Sequence, residues 1–389
     1  MKTIYFDNNA TTPIAPEVLD EMLPYLRELY GNPSSMHTFG GQLHRKIEEA
    51  RLRVAGLLGA GPEEIIFTSC GTESDNTALM SAVESVPHKK HIITSRVEHP
   101  AVLNFCKHLA RKGYRVTYLP VSKQGQLNVD ELVKALDEDT AVVSLMYANN
   151  ESGVIFPVAE LGEMLKERGI LFHTDAVQAV GKIPIDLKKL PVDMLSLSGH
   201  KLHAPKGVGA LYVRKGARFH PYIIGGHQEH GRRAGTENVA SIIALGKACE
   251  LAGDKLSQEV IYLKGLRDKL ENALLKSCPD ARINGDVNSR LPNTTNISFE
   301  YVEGEAILLR LNEFGICASS GSACTSGSLE PSHILRAMGV PATLIHGSIR
   351  FSLSRYNTEA EVDKVLEIMP PVIKELRQLS PFGREGLKK

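Results

Sequence analysis

Between residues 64 and 214 the chain repeats one pattern: a short β-branched run, then a longer stretch with helical spacing. The runs are Glu64–Ser69, His91–Ser95, Arg115–Leu119, Ala141–Tyr147, Ile170–Thr174, Met194–Leu197 and Gly209–Val213. Most are apolar on both faces, as strands sandwiched between helices are. Several gaps carry helix-like patterns, among them Glu131–Asp137 and Val158–Arg168, the second stopped by Gly169 as a C-cap. Strand–helix alternation of this kind predicts an α/β fold with a mostly parallel, doubly wound sheet.

Past residue 255 the rhythm changes. The spacing predicts a long amphipathic helix over Leu256–Ser277, a strand-like Asn293–Glu300, a helix over Gly304–Phe314, a strand-like Ser348–Ser354 and a last helix opened by the capping-box pattern Thr358-Glu-Ala-Glu361. This reads as a smaller α+β domain with which the first residues pack: 16–255 would form the large domain, 1–15 and 256–389 the small one. No internal repeat is visible, and only Ser319–Ser328 is compositionally biased.

Composition narrows the function classes. Lys plus Arg is 45 and Asp plus Glu is 45, so the formal charge is zero. A nucleic-acid binder normally carries a basic excess. The acid at Asp7 interrupts the N-terminus before an apolar signal segment forms. The most continuous apolar stretch, Ala141 to Ala148, falls far short of the roughly 20 residues that cross a bilayer. The six cysteines, at 70, 106, 249, 278, 317 and 324, form no CxxC pair. Such an inventory reads as reduced and cytoplasmic rather than as a disulfide framework or zinc site.

In an open α/β sheet, ligands bind outside the carboxyl ends of the strands. Residues that follow the runs are therefore the candidates for chemistry. Cys70-Gly71-Thr72-Glu73-Ser74 follows the first, a small hydroxylated turn at a helix start suited to a phosphate. Glu98-His99-Pro100, Asn149-Asn150-Glu151, Asp175 with Gln178, and Ser198-Gly199-His200-Lys201 follow others. Taken singly, each has a plainer reading: a solvated lysine, an aspartate capping a helix, a structural histidine, satisfied amides. The combination is more telling. A lysine for a Schiff base, an anion for a pyridinium nitrogen and donors for a phosphate are what a pyridoxal phosphate site needs. No G-x-G-x-x-G follows the first strand, which disfavours a dinucleotide site.

On these residues the chain resembles, end to end, the cysteine desulfurases of the NifS/IscS type, which are fold-type I pyridoxal phosphate enzymes. The motifs are Phe6-Asp-Asn-Asn-Ala-Thr-Thr12, Tyr30-Gly-Asn-Pro-Ser-Ser35, Gly71-Thr-Glu-Ser-Asp-Asn76, His173-Thr-Asp-Ala-Val-Gln178, Ser198-Gly-His-Lys201, Arg232-Arg-Ala-Gly-Thr-Glu-Asn238 and Ser319-Ser-Gly-Ser-Ala-Cys-Thr-Ser-Gly-Ser328. The cysteine loop, Ser352-Leu-Ser-Arg355 and the Leu-Ser-Pro381 ending look closer to the nitrogen-fixation NifS branch. The resemblance implies a seven-stranded sheet of the pyridoxal phosphate-dependent transferase fold. It implies conversion of L-cysteine to L-alanine, with sulfur carried as a persulfide on Cys324 to a NifU/IscU-like iron–sulfur scaffold.

The resemblance also implies the roles. Lys201 would hold the cofactor as a Schiff base and move the substrate's Cα proton. Asp175 would face the ring nitrogen, Gln178 the phenolate oxygen, and His99 the ring face, while Asn150 would complete the contacts. Gly71, Thr72, Ser198 and His200 would hold the phosphate, joined by Thr236 from a second subunit of a homodimer. Arg350 would clamp the substrate carboxylate by two-point donation. Cys324, the nucleophile, must attack as thiolate. No resident metal is implied, Cys324 being at most a transient ligand to iron–sulfur cargo. Cys317 reads as structural, and Cys70 carries no assigned chemistry. A selenocysteine lyase or sulfinate desulfinase is the alternative within the same cofactor class. A non-catalytic iron–sulfur carrier would need clustered Cys or His ligands that the sequence lacks.

Overall fold

The computed structural model of the protein describes residues 3–320 and 331–380. The chain opens with β1 (Ile4–Tyr5), α1 (Pro16–Arg27) and α2 (Thr38–Leu58). Then come β2 (Ile65–Thr68), α3 (Gly71–Ser85), β3 (His91–Ser95), α4 (Pro100–Arg111), β4 (Arg115–Leu119), α5 (Val129–Ala135), β5 (Thr140–Ser144), α6 (Val158–Glu167), β6 (Leu171–Asp175), β7 (Met194–Ser198) and β8 (Gly209–Val213). These seven strands form one sheet in the order β2-β8-β7-β6-β5-β3-β4. All pairings are parallel except those of β8, which runs antiparallel to both β2 and β7. Two reversals restore the direction, so β2 still points its carboxyl end to the same edge as β7. The mostly parallel α/β sheet expected from the sequence is present. Each strand run expected from it became a strand.

Alternation along the strands explains the layering, because successive side chains point to opposite faces. Ile66, Ile92, Val142, Met194 and Leu211 pack with α3 and α4 on one face. Ile65, Phe67, Ile93, Val143 and Leu195 pack on the other face in the cluster that includes α1, α2, α6 and the next helix, α7 (Val239–Ser277). A Cβ at Gly246 would lie 2.7 Å from the Ala50 backbone, so only glycine lets α7 and α2 approach this closely.

The helix expected over 256–277 begins instead at Val239, capped by Asn238, whose side chain accepts from the Ser241 amide. Its first half is buried nearly all round and so lacks a one-sided apolar stripe. Its far end joins a separate apolar cluster with Ile4, Phe6, Phe299, Phe351, Val362 and Met369. That cluster sits among β9 (Ala281–Ile283), β10 (Thr294–Phe299), α8 (Gly304–Glu313), β11 (Ile316–Cys317), β12 (Ser348–Ser352) and α11 (Glu359–Leu379), whereas α9 (His333–Ala337) and α10 (Ala342–Ile345) pack into the first cluster through Ile334, Leu335 and Ile345. β12, β10 and β9 make a three-stranded sheet, and β1 pairs in parallel with β11. The capping box at Thr358 closes as expected: Thr358 Oγ1 accepts from the Glu361 amide, and the Glu361 carboxylate accepts from the Thr358 amide. Among the described residues no helix is long and apolar enough to cross a membrane.

Candidate active site

The carboxyl edge of the seven-stranded sheet opens into a cavity of about 370 Å³. Gly71, Thr72, His99, Asn150, Asp175, Gln178, Ser198, His200, Lys201 and Arg350 all line it. The sheet order explains the convergence: β7, β6, β5 and β3 are consecutive neighbours. Lys201, Asp175, Asn150 and His99 follow their carboxyl ends. β2 delivers the start of α3 from two strands away.

Each side chain is held by local chemistry. Asp175 ends β6 and accepts from the Val177 amide at 2.9 Å. Burial pushes its carboxyl up, against the lowering pull of His99 and Lys201. Such a carboxylate, with no ion pair among the described residues, suits a protonated ring nitrogen. His99 caps α4, its Nδ1 accepting from the Ala101 amide at 3.2 Å. Burial lowers its basicity, with Lys201 adding to the effect and Asp175 opposing it. The neutral ring therefore carries its proton on Nε2. Lys201 Nζ donates to the Asn9 and Ala10 carbonyls at 2.5 and 2.6 Å. His200 Nδ1 sits 3.1 Å from Thr11 Oγ1, and burial, with Lys201's charge, depresses the ring to about 4.

Arg350 enters from β12, bridged through its backbone to Ser319. Its guanidinium donates to Asp7 at 2.7 Å and to the Asn150 carbonyl at 3.0 Å. Beneath the strand ends lies a second tier of buried acids. Burial raises Glu98 to about 8, although Ser95 Oγ and the Met146 amide both donate to it. Asp75 is raised well above its ordinary value by burial and by the neighbouring Asp175.

The residues present fit pyridoxal phosphate. α3 starts at Gly71 with no side-chain cap from Cys70, leaving first-turn N–H groups for an anion. A Cβ on Gly71 would lie 2.7 Å from Val177, so glycine is required for the helix to begin this close to the β6 turn. Ser198 Oγ and Asn150 Oδ1 are buried in the cavity wall without a hydrogen-bond partner among the described residues. A phosphate-donor set, a buried acid and a lysine amine thus share one wall.

Sequence reasoning passed over Asp7, Asn9 and Ala10, which also line the cavity. Asn9 and Ala10 act through backbone carbonyls, which leave no side-chain signal, and Asp7 stood only inside a motif without a role. Thr236 is exposed and does not line the cavity of its own chain. Its segment is tied beside α3 by the Arg233–Glu73 ion pair at 2.8 Å. Cys324 lies outside the described residues. Cys317, on β11, and Cys70 are free thiols, and Cys70 also lines the cavity. No group of three or more metal-ligating side chains occurs among the described residues.

Comparison with known proteins gives a consistent family. The aminotransferase class-V family model matches residues 4–365. A cysteine desulfurase of Trichormus azollae is 62% identical over 385 residues, 99% of this chain and 96% of that protein. The cysteine desulfurase NifS of Azotobacter vinelandii is 57% identical over 383 residues, 98% of this chain and 95% of its own. A solved NifS-like protein, 43% identical, superposes with a TM-score of 0.91 over 96% of this chain and all of its own. A NifS-like protein from Rickettsia africae ESF-5, 34% identical, gives 0.87 over the same share of this chain and all of its own. The chain belongs to the class-V aminotransferase family, among its NifS-type cysteine desulfurases.

Proposed function

We propose that the protein is a pyridoxal phosphate-dependent cysteine desulfurase that converts L-cysteine to L-alanine and passes the sulfur to an acceptor. One observation carries the reading: a lysine, a buried aspartate, a histidine, a glutamine amide and an arginine converge on a single cavity in a chain 62% identical to a cysteine desulfurase. When bound, pyridoxal phosphate supplies an electron sink that acidifies the substrate's Cα–H and loosens its Cβ–S bond.

The chain's own groups do the rest. Lys201 would hold the cofactor through its amine and, with that amine free, would take and return the substrate's Cα proton at Nζ. Asp175 would keep the ring nitrogen protonated, Gln178 would donate to the phenolate oxygen, His99 would face the ring, and Asn150 would supply a further contact. Gly71, Thr72, Ser198 and His200 would hold the phosphate, with Thr236 arriving from a second copy. A homodimer accounts for an exposed Thr236 in a segment fixed beside α3. Arg350 binds the substrate carboxylate, exchanging its contact with Asp7. His99 keeps a proton available at Nε2 for the departing thiol chemistry. Cys324 attacks the substrate sulfur as thiolate; the C–S bond breaks, the carbon takes a proton, and alanine leaves with a persulfide on Cys324. The outer sulfur then goes to a NifU/IscU-like iron–sulfur scaffold in the cytoplasm. The second apolar cluster, built only from residues of 1–15 and 256–389, supports a small domain there beside a large one at 16–255, although Ala15, Leu291, Ile334, Leu335 and Ile345 pack into the large cluster.

The test is direct. Purified protein loaded with pyridoxal phosphate should show visible absorbance and, on cysteine addition, form alanine and sulfide. Cys324→Ala should keep the absorbance and its response to cysteine but release no sulfide. A colourless protein that refuses the cofactor overturns the reading.

A further inference from the structure

Lys182 is a half-buried lysine that the reaction above does not use. It follows Gly181, where a φ of +71° and the nearby Leu202 Cδ2 leave no room for a side chain, pressing this turn against the segment that carries Lys201. Lys182 Nζ donates to Gln178 Oε1 at 2.7 Å and to Asn9 Oδ1 at 3.4 Å. Gln178 Nε2 in turn donates to the Asn9 carbonyl at 3.0 Å, the same carbonyl that accepts from Lys201.

Among the described residues no ion pair includes Lys182. The charged and titratable groups around it are Lys201, Arg350, His200 and His203. Glu259 and Arg355, paired with each other at 2.9 Å, line the small cavity that Lys182 shares with Lys201 and His203. A half-buried amine facing other cations and no carboxylate among the described residues is costly to keep charged, so its retention calls for a reason. The reason lies in hydrogen-bond arithmetic. An ammonium group has three donors and no acceptor, so a carboxamide facing it must turn its oxygen that way. The NH₂ end of Gln178 is then the end left over: one hydrogen goes to Asn9, the other to whatever fills the cavity that Gln178 lines.

We propose that Lys182 is a positioning residue which locks the Gln178 carboxamide so that it meets the cofactor only as a hydrogen-bond donor, to the anionic ring oxygen. The proposal rests on the cofactor reading above. In the cofactor-free cavity, burial and then the charges of Lys201 and Arg350 push the Lys182 amine down to about 7. An anionic occupant opposes that pull, so cofactor binding and the locked orientation reinforce each other.

The experiment compares wild type, Lys182→Arg, Lys182→Met, Lys182→Gln, Gln178→Ala and the double variant Gln178→Ala/Lys182→Met, each loaded with pyridoxal phosphate. The pH midpoint of the visible band is read between pH 5.5 and 9.5, together with the rate of cofactor loss on dilution. Lys182→Arg should keep the wild-type midpoint. Lys182→Met and Lys182→Gln should move it upward by about one unit and lose cofactor about tenfold faster, at a wild-type melting temperature of the cofactor-free protein. The double variant should match Gln178→Ala alone, because Lys182 acts through that amide. Wild-type midpoints and loss rates in both neutral variants overturn the proposal, as does a double variant in which the Lys182→Met effect adds in full. If wild type itself takes up no cofactor, the cofactor reading has failed, an outcome distinct from either.

Discussion

Two walls of the same cavity are built on different physical terms. The wall from the seven-stranded sheet carries buried Asp175 and Glu98 and half-buried His99, at strand ends that the parallel ladder fixes. Their ionisation is displaced from ordinary values chiefly by burial. The opposite wall, from β12 and the N-terminal segment, presents Arg350 with its charge resting on Asp7 at 2.7 Å. One wall holds polar groups whose full satisfaction requires an occupant. The other carries a charge that is already paired, Arg350 with Asp7, although Arg350 Nε has no hydrogen-bond partner among the described residues, and the pair is replaceable. A resident cofactor suits the first, since a rigid dry wall costs no reorganisation once filled. A substrate that enters and leaves suits the second, since one carboxylate exchanges for another at nearly constant charge. The wall type separates the group that stays from the one that turns over.

The largest effect that tests this division is at Lys201. Lys201→Ala should retain the fold and lower alanine formation by about 10³-fold or more, the scale of a lost general base plus a lost attachment point. Turnover within tenfold of wild type, measured as alanine by chromatography, would remove Lys201 from the chemistry.

On the substrate wall the effect should be smaller and of another kind. Arg350→Lys keeps a charge but loses two-point donation. At about 1.5–3 kcal/mol for charge-assisted hydrogen bonds, KM for cysteine should rise roughly 10–100-fold, with the visible spectrum of the loaded protein unchanged. A spectral shift in this variant would place Arg350 on the cofactor side and break the comparison.

On the resident wall the sign of the stability effect is diagnostic. Burial raises the Asp175 carboxyl above its ordinary range, so ionising it in the empty cavity opposes folding near neutral pH. Asp175→Asn should weaken cofactor retention about tenfold while the cofactor-free protein melts no lower than wild type. A cofactor-free variant that melts several degrees lower would mean that Asp175 is a structural cap.

Much of this site was legible in the sequence because parallel strands send their carboxyl ends to one edge. Lys201, Asp175, Asn150 and His99 each follow an apolar run, and the topology turns sequence adjacency to a strand end into proximity in space. The antiparallel course of β8 was not legible, because burial on both faces erases any mark of direction. The start of α7 was hidden by burial all round. Asn9 and Ala10 contribute carbonyls, which every residue has. No sequence pattern marks Lys182; its contacts with Gln178 and Asn9 come from the folded turn that carries it. Pattern reveals which element a residue follows, whereas long-range closure decides which backbone groups and which lysines it meets.

The smallest effect concerns Glu98, beneath the resident wall. Burial raises it to about 8, above its ordinary value near 4.3 in the unfolded chain. A carboxyl shifted upward stabilises the fold fully below the unfolded value and loses that contribution as pH climbs through the folded one. Wild-type stability should therefore carry a downward component from about pH 5 to 8. Glu98 Oε1 accepts from Ser95 and from the Met146 amide, and Oε2 has no partner among the described residues. A carboxamide in its place would keep the accepting oxygen, set an uncharged NH₂ where the acid carries its proton, and remove the titration. Glu98→Gln should thus gain on wild type steadily as pH rises from about 5 to 8 and melt several degrees higher at the upper end. Parallel melting curves for the two proteins across that range would show Glu98 to be ionised and paired at neutral pH, giving the resident wall the same exchangeable character as the wall that holds Arg350.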